Sequence, residues 1–404
     1  MAVSPASFFN APTSLEFCQR YKPISFANSK PADESQIVLY LEPVKTHPMN
    51  FRLSAGFIVL AVFISSFSCS NSSNRSRKPV VQIRVESVNR KIVFSDDLNI
   101  AISVKVKDGN IRETKLYIDS VLITSDKNAE FNFTVKKFEN IGKHTLKAVS
   151  VKDDGVEGVY FKNFEVFSDI VPEEYVYEIV KTYPHNETFF TEGLEIHNGF
   201  LYESTGENGK SSLNKCDLVS GKTLQSVKLS SRYFGEGITI FNNRIFQLTY
   251  KTKVGFVYKL ENMAVVDSFH FESAEGWGMT HDDKYLVMSD GTNILTYLDP
   301  VTYKTVKKLQ VYDDKDPVVY LNELEFSDGF IYANVWTTNL LVKIDPKTGK
   351  VLSKIDLDGI LTMSNPNKQV DVLNGIAIDP VTKKMYVTGK LFPKLFEIKP
   401  VKKG

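Results

Sequence analysis

The chain has 404 residues, with 49 Lys and Arg against 48 Asp and Glu, a net charge of +1, and 42% hydrophobic residues. That length can bury two cores, and so even a charge balance excludes a global electrostatic pull toward nucleic acid. The 12% aromatic content, with 28 Phe and 18 Tyr, favours strands, and long amphipathic helical patterns are missing.

In chain order, residues 1–48 carry no fold signal and are expected to be a non-native upstream extension, because Met49 makes a natural start. Arg52 precedes the apolar run from Ala55 to Ile64, the charged and apolar regions of a signal peptide. Phe67-Ser68-Cys69-Ser70 follows, a small residue and then Cys, as in a bacterial lipoprotein signal over residues 49–69 with lipidation at Cys69. An uncleaved membrane anchor is the alternative. The expected location is the cell envelope, exported and held to a membrane. Residues 70–79 are Ser/Asn-rich with three basic residues and predict a flexible tether. Cys18, Cys69 and Cys216 fall in three different regions, so no disulfide framework is expected.

Residues 80–168 predict roughly seven short strands. Ile100, Ile102, Val104 and Val106 alternate with smaller or polar residues, the period of a half-buried strand. Further strands are predicted over Val80–Glu86, Thr114–Ile118, Phe131–Val135, Thr145–Val151 and Val159–Phe167, with turns at Asp108-Gly109-Asn110 and Asp119-Ser120. The pattern suggests an immunoglobulin-like sandwich without a Cys–Trp–Cys core, serving as a spacer or docking module. An acidic linker, Ser168 to Glu174, follows.

From residue 169 onward one motif returns five times. Thr191-Glu192-Gly193-Leu194, Gly235-Glu236-Gly237-Ile238, Gly276-Trp277-Gly278-Met279, Leu321-Asn322-Glu323-Leu324 and Leu373-Asn374-Gly375-Ile376 superimpose at intervals of 41 to 52 residues. Each copy seeds four strand signals, the signature of a β-propeller. The predicted fold is all-β, a five-bladed β-propeller over residues 169–404 preceded by the sandwich. The fifth copy is short, and Tyr175–Tyr183 is free to supply its outer strand and remove an open edge. Glu192, Glu236, Trp277, Asn322 and Asn374 then share one equivalent point of the five blades.

Several catalytic patterns are excluded. There is no Gly-x-Ser-x-Gly and no His-Glu-x-x-His; Gly209-Lys210-Ser211 lacks the leading Gly of a phosphate loop, since residue 204 is Ser, and lies in a hairpin. Among the six His only His281 nears an inner motif, in an expected surface turn. No metal or other cofactor is expected. Glu236, between glycines and after Tyr233 and Phe234, has the setting of a carboxyl acting as general base and then general acid.

Across residues 176–400 the chain resembles the glutamine cyclotransferase family of plants and bacteria. The matching runs, in order, are Phe190–Leu194, Glu203–Gly206, Phe234–Thr239, Gln247–Lys251, Gly276–Gly278, Leu321–Glu325, Ala333–Trp336, Asp371–Ala377 and Val387–Lys390. The resemblance implies a five-bladed propeller that converts N-terminal glutamine of peptides or proteins to pyroglutamate with loss of ammonia, without a catalytic metal; a monomer is expected. It implies Glu236 as proton shuttle, Asn322 fixing the amide and Lys390 stabilising the oxyanion. Phe190, Phe234, Trp277 and Trp336 would wall the pocket, and Asn374 would contact substrate. Glu192 stands where the family usually has Gln, and Tyr250 where it has Trp. Glu192 would then raise the pKa of Glu236 or bind the substrate's α-ammonium. Two other readings carry the same residues: a non-catalytic peptide-binding propeller at the envelope, and a metal-dependent lactonase-like one. Glu323 and Glu325 are expected near the axis, one structural and one electrostatic.

Overall fold

The computed structural model of the protein describes residues 76–86, 91–364 and 370–404; the expected leader with Cys69, and Cys18, lie outside them. The described chain is almost entirely β, with one short helix at Ile360–Ser364.

Two sheets face each other in the first part. Val80–Glu86, Leu98–Lys105 and Glu130–Val135 form a three-stranded sheet; Ile92–Val93, Glu157–Phe167, Gly142–Lys152, Ile111–Ile118 and Val121–Asp126 form a five-stranded one, in that spatial order. Alternation sends Val81, Ile83, Ile100 and Ile102 from one sheet against Leu116, Leu146, Ala148 and Val166 from the other, while the intervening residues face water. Val121–Asp126 is a strand that periodicity does not reveal, because its apolar residues stand consecutively at an exposed edge. The turn before it forms it: Asp119 and Ser120 both have positive φ, 46° and 74°, the backbone of a tight hairpin whose twist matches the flanking strands.

A joint of specific contacts holds this sandwich to the remainder. Tyr312 is buried in its core and donates its hydroxyl to Glu165 at 2.6 Å. Gln310 accepts from the Lys143 N–H and donates to the Lys143 carbonyl, both at 3.0 Å. Lys350 pairs with Asp169 at 2.6 Å, and Lys91 donates to the carbonyls of Asp314 and Lys315 at 2.7 and 2.9 Å. Residues 80–168, expected as a spacer, are thus tied by directed bonds to the rest of the chain.

Four-stranded antiparallel groups follow. The first runs through Thr191–His197, Phe200–Thr205, Ser212–Asp217 and Thr223–Lys228. The second runs from Gly235–Phe241 to Val265–His270, and the third from Met279–His281 to Thr305–Gln310. Beyond them lies an eight-stranded sheet: Leu321–Ser327, Phe330–Val335, Leu340–Ile344, Val351–Asp356, then Glu173–Pro184, then Lys394–Lys402, Met385–Gly389 and Leu373–Ile378. Glu173–Pro184 pairs antiparallel with Lys394–Lys402 along nearly its whole length. Its first three residues also pair parallel with Ser353, Lys354 and Ile355. That second pairing was not read from the sequence, and it ties two groups into one sheet.

The first strands of the successive groups neighbour one another in order, and Leu373–Ile378 returns to Thr191–His197. Glycine permits the approach: a Cβ on Gly278 would lie 1.9 Å from the Asn322 carbonyl oxygen, and one on Gly237 2.4 Å from the Met279 nitrogen. Buried carboxyls bridge these strands. Glu323 accepts from the N–H groups of Leu194 and Ile376, Glu325 from Ile378, and Glu195 from Ile240. Both Glu323 and Glu325 therefore satisfy backbone donors of neighbouring strands. Burial pushes all three above the usual carboxylate range, Glu195 to about 8. His281 closes an inner strand between Phe241 and Phe326, half-buried, in place of the expected surface turn.

Candidate active site

The recurring motif opens each inner strand with an irregularity. Register shifts fall between Thr191 and Gly193, Gly235 and Ile238, Leu321 and Leu324, and Leu373 and Ile376. Such a bulge leaves the extra residue out of the ladder and re-aims its side chain. The re-aimed residues are Glu192, Glu236, Asn322 and Asn374, the positions that the repeat singles out. Trp277 holds the corresponding place two residues before the short strand that begins at Met279.

Three of these four, with Trp277 and Lys390, line one cavity of about 160 Å³. Phe190, Phe234, Tyr250 and Trp336 complete its wall. Against the ~30 Å³ that a water occupies in the liquid, the space suits one side chain. The rings meet edge to face or tilted: Phe190 with Phe234 at 6.1 Å, Phe234 with Tyr250 at 5.8 Å, and Trp277 with Trp336 at 5.5 Å between centroids. Nine of the ten expected catalytic or substrate-binding residues therefore converge here. Asn374 does not reach the wall: it is fully buried behind Glu192, donating to the Thr191 carbonyl at 3.0 Å and to Glu192 at 3.2 Å.

The charges are tightly organised. Lys390 Nζ lies 2.7 Å from Glu192 Oε1 and 4.6 Å from the centre of the Phe190 ring. Glu192 is 2% exposed. Burial raises its pKa to about 7 against the opposing pull of Lys390. Glu236 is held well above the usual range, first by burial and then by the charge of Glu192, with which it shares a hydrogen bond. Burial works against the ammonium of Lys390, but Glu192 and Glu236 outweigh it and keep its pKa above the ordinary value. Two carboxyls beside one ammonium in a dry pocket depend on one another's charge, and the acids titrate as a pair.

Asn322 Oδ1 is buried without a hydrogen-bond partner. An orphaned acceptor in a cavity wall costs about 1–3 kcal/mol and asks for a donor that a ligand can bring. The Asn322 backbone is fixed by Ser289, whose hydroxyl donates to its carbonyl at 2.7 Å and accepts from the Gly278 N–H at 2.8 Å. Glu275 accepts from Trp277 Nε1 at 3.0 Å and orients that ring. These supports were missed from sequence; Glu275-Gly276-Trp277 was the available signal, and Ser289 offered none. Bulky residues with left-handed backbone also cluster here: Thr337 after Trp336, Leu391 after Lys390, and Tyr320 two before Asn322, at φ 69°, 62° and 63°. Such conformations are costly for side chains of this size and concentrate at ligand sites. Among the described residues no three His, Cys, Asp or Glu gather as a metal site.

A site of this kind, an acid pair with an ammonium and an aromatic wall carried on successive inner strands, defines an acid–base pocket for one small polar group. The glutamine cyclotransferase family matches residues 160–400, and the chain belongs to that family. It is similar to a glutaminyl-peptide cyclotransferase of Arabidopsis thaliana, 42% identical over 225 residues, which span 55% of this chain and 70% of that protein. It is also similar to the crystal structure of Myxococcus xanthus glutaminyl cyclase, with 33% identity and a TM-score of 0.55 over 58% of this chain and all of the other.

Proposed function

We propose that the protein is a glutaminyl-peptide cyclotransferase, closing the N-terminal glutamine of peptides or proteins to pyroglutamate and releasing ammonia. The observation that carries this reading is the meeting of Glu236, Glu192, Lys390 and an unpartnered Asn322 acceptor in one aromatic cavity sized for a single side chain.

The substrate's amide N–H donates to Asn322 Oδ1 and ends its orphaned state. The neutral α-amine attacks the side-chain amide carbon; the new N–C bond closes the ring while the carbonyl electrons move to oxygen. Glu236 as carboxylate takes the proton that the attacking nitrogen releases. The tetrahedral oxyanion gains from the ammonium of Lys390. Glu236 then returns its proton to the departing nitrogen, the C–N bond breaks and ammonia leaves. One proton moves from one nitrogen to the other, and no water is consumed. A carboxyl held above its usual range suits both halves of this transfer. Glu192 balances Lys390 and accepts from the substrate's amine. Phe190, Phe234, Tyr250, Trp277 and Trp336 exclude water, and Asn374 positions Glu192.

The finer architecture belongs to the same proposal. Five four-stranded blades, the last two joined through Glu173–Pro184, are supported by the order of the inner strands. An immunoglobulin-like domain over residues 80–168, with the propeller at 169–404, is supported by two facing sheets around one core. Export, lipid anchoring through Cys69 at a bacterial envelope, and a monomeric state rest on sequence reasoning alone.

The test is ammonia release from a Gln-initiated peptide by the full chain. Release supports the reading; binding of the peptide without release would make the molecule a peptide-binding propeller instead.

A further inference from the structure

Against Trp336 of the cavity wall stands an aromatic side chain that the chemistry above does not use. Tyr320 is 48% exposed, and its neighbour Val319 is 42% exposed. Its ring stands 6.0 Å from Trp336, edge to face, and Trp336 in turn meets Trp277 at 5.5 Å. Its backbone has φ 63°, a region that a bulky side chain rarely occupies.

The fold holds that conformation from both sides. The Tyr320 N–H donates to the Gly291 carbonyl at 2.8 Å, and its carbonyl accepts from the Trp336 N–H at 2.8 Å. Upstream, Asp313 Oδ1 accepts from the N–H groups of Lys315 and Asp316, Val318 N–H donates to Val311, and Lys91 of the sandwich donates to the carbonyls of Asp314 and Lys315. An exposed aromatic ring kept in an unfavourable backbone state beside a site is a ledge, since strain persists where the surroundings over-determine it.

The geometry points to Tyr320 as a specificity-determining residue for the second residue of the substrate. Resting on the cyclisation reading, this assigns the preferred substrates: peptides whose N-terminal glutamine is followed by a bulky apolar or aromatic side chain. Once glutamine fills the cavity, the next side chain emerges at the rim. There Tyr320 and Val319 offer apolar surface to cover, and an aromatic partner adds an edge-to-face contact.

Steady-state kcat/KM for Gln-Phe-amide, Gln-Gly-amide and Gln-Glu-amide tests this with the full chain. The wild type should favour Gln-Phe-amide over Gln-Gly-amide by roughly 2- to 10-fold, the range of one aromatic contact. Tyr320→Phe should keep the ratio. Tyr320→Asn, a residue type that tolerates left-handed backbone, should bring it to about one. Equal values in the wild type, or an undiminished ratio in Tyr320→Asn, would overturn the assignment. So would a preference for Gln-Glu-amide, which would route the chain into the groove of about 570 Å³ beside Phe190, toward Lys228. Failure of all three peptides to release ammonia would instead sink the cyclisation reading.

Discussion

Replacing Glu236 by Gln separates chemistry from architecture. The carboxyl is buried, and burial together with the charge of Glu192 holds it well above its usual range, so its uncharged form is favoured more than it would be in water. Glutamine has nearly its shape and keeps a donor for Glu192. Little should therefore change in the folded state: about one hydrogen bond's worth, roughly 1 kcal/mol. For a domain of this size that is a few degrees in Tm at most. The amide cannot carry a proton between the two nitrogens. Loss of general acid–base catalysis is typically worth ~10²–10⁴-fold, or about 2.7–5.4 kcal/mol of barrier. Continuous ammonia detection with a Gln-initiated peptide, beside a thermal melt, measures both. A variant within about tenfold of the wild-type rate would remove Glu236 from its role. A large fall in Tm would show that the residue is structural and that the argument from a neutral buried carboxyl is mistaken.

Glu192→Gln removes the charge that, after burial, contributes most to raising Glu236. Glu236 should then ionise at lower pH, and the acid limb of the kcat/KM profile should move downward; an upward shift would refute the coupling. Lys390→Met leaves Glu192 buried without its cation, a change worth about 3–5 kcal/mol when the carboxylate stays charged. The loss, read from denaturant melts, should be greatest at alkaline pH and smaller below about 7, where Glu192 protonates; a pH-independent loss would contradict it. The buried imidazole of His185 bonds to Glu203 at 3.1 Å and the Phe392 carbonyl at 2.6 Å. Burial opposes its charge, but these partners win and raise its folded pKa. Its stabilisation is thus fully present below its unfolded value of about 6.5 and lost as pH rises through the folded one. His185→Asn should flatten that part of the Tm-against-pH curve, and an unchanged curve would count against it.

The repeat alone locates four of the nine pocket residues, because positions 192, 236, 277 and 322 recur in one place of one motif, and at three of them a bulge aims whatever residue stands there. Lys390, Phe190, Trp336 and Tyr250 needed the family resemblance, since nothing in their local spacing separates a pocket wall from ordinary packing. Asn374 shows the limit of repeat symmetry: the same bulge turns it toward Glu192, and that carboxylate stands between it and the cavity.

Sequence by itself determined the all-β character, the extents of most strands over residues 80–168 and the equivalence of the motifs, because alternation and turn chemistry act over a few residues. Tertiary structure decided which pairs share an environment. The parallel pairing of Glu173–Pro184 joins segments some 180 residues apart. The embedding of Tyr312 in the sandwich, the mutual effect of Glu192 and Glu236 on each other's charge, and the edge-to-face contact of Tyr320 with Trp336 likewise depend on contacts between distant segments. Burial and neighbouring charge set those properties, and neither is a local quantity.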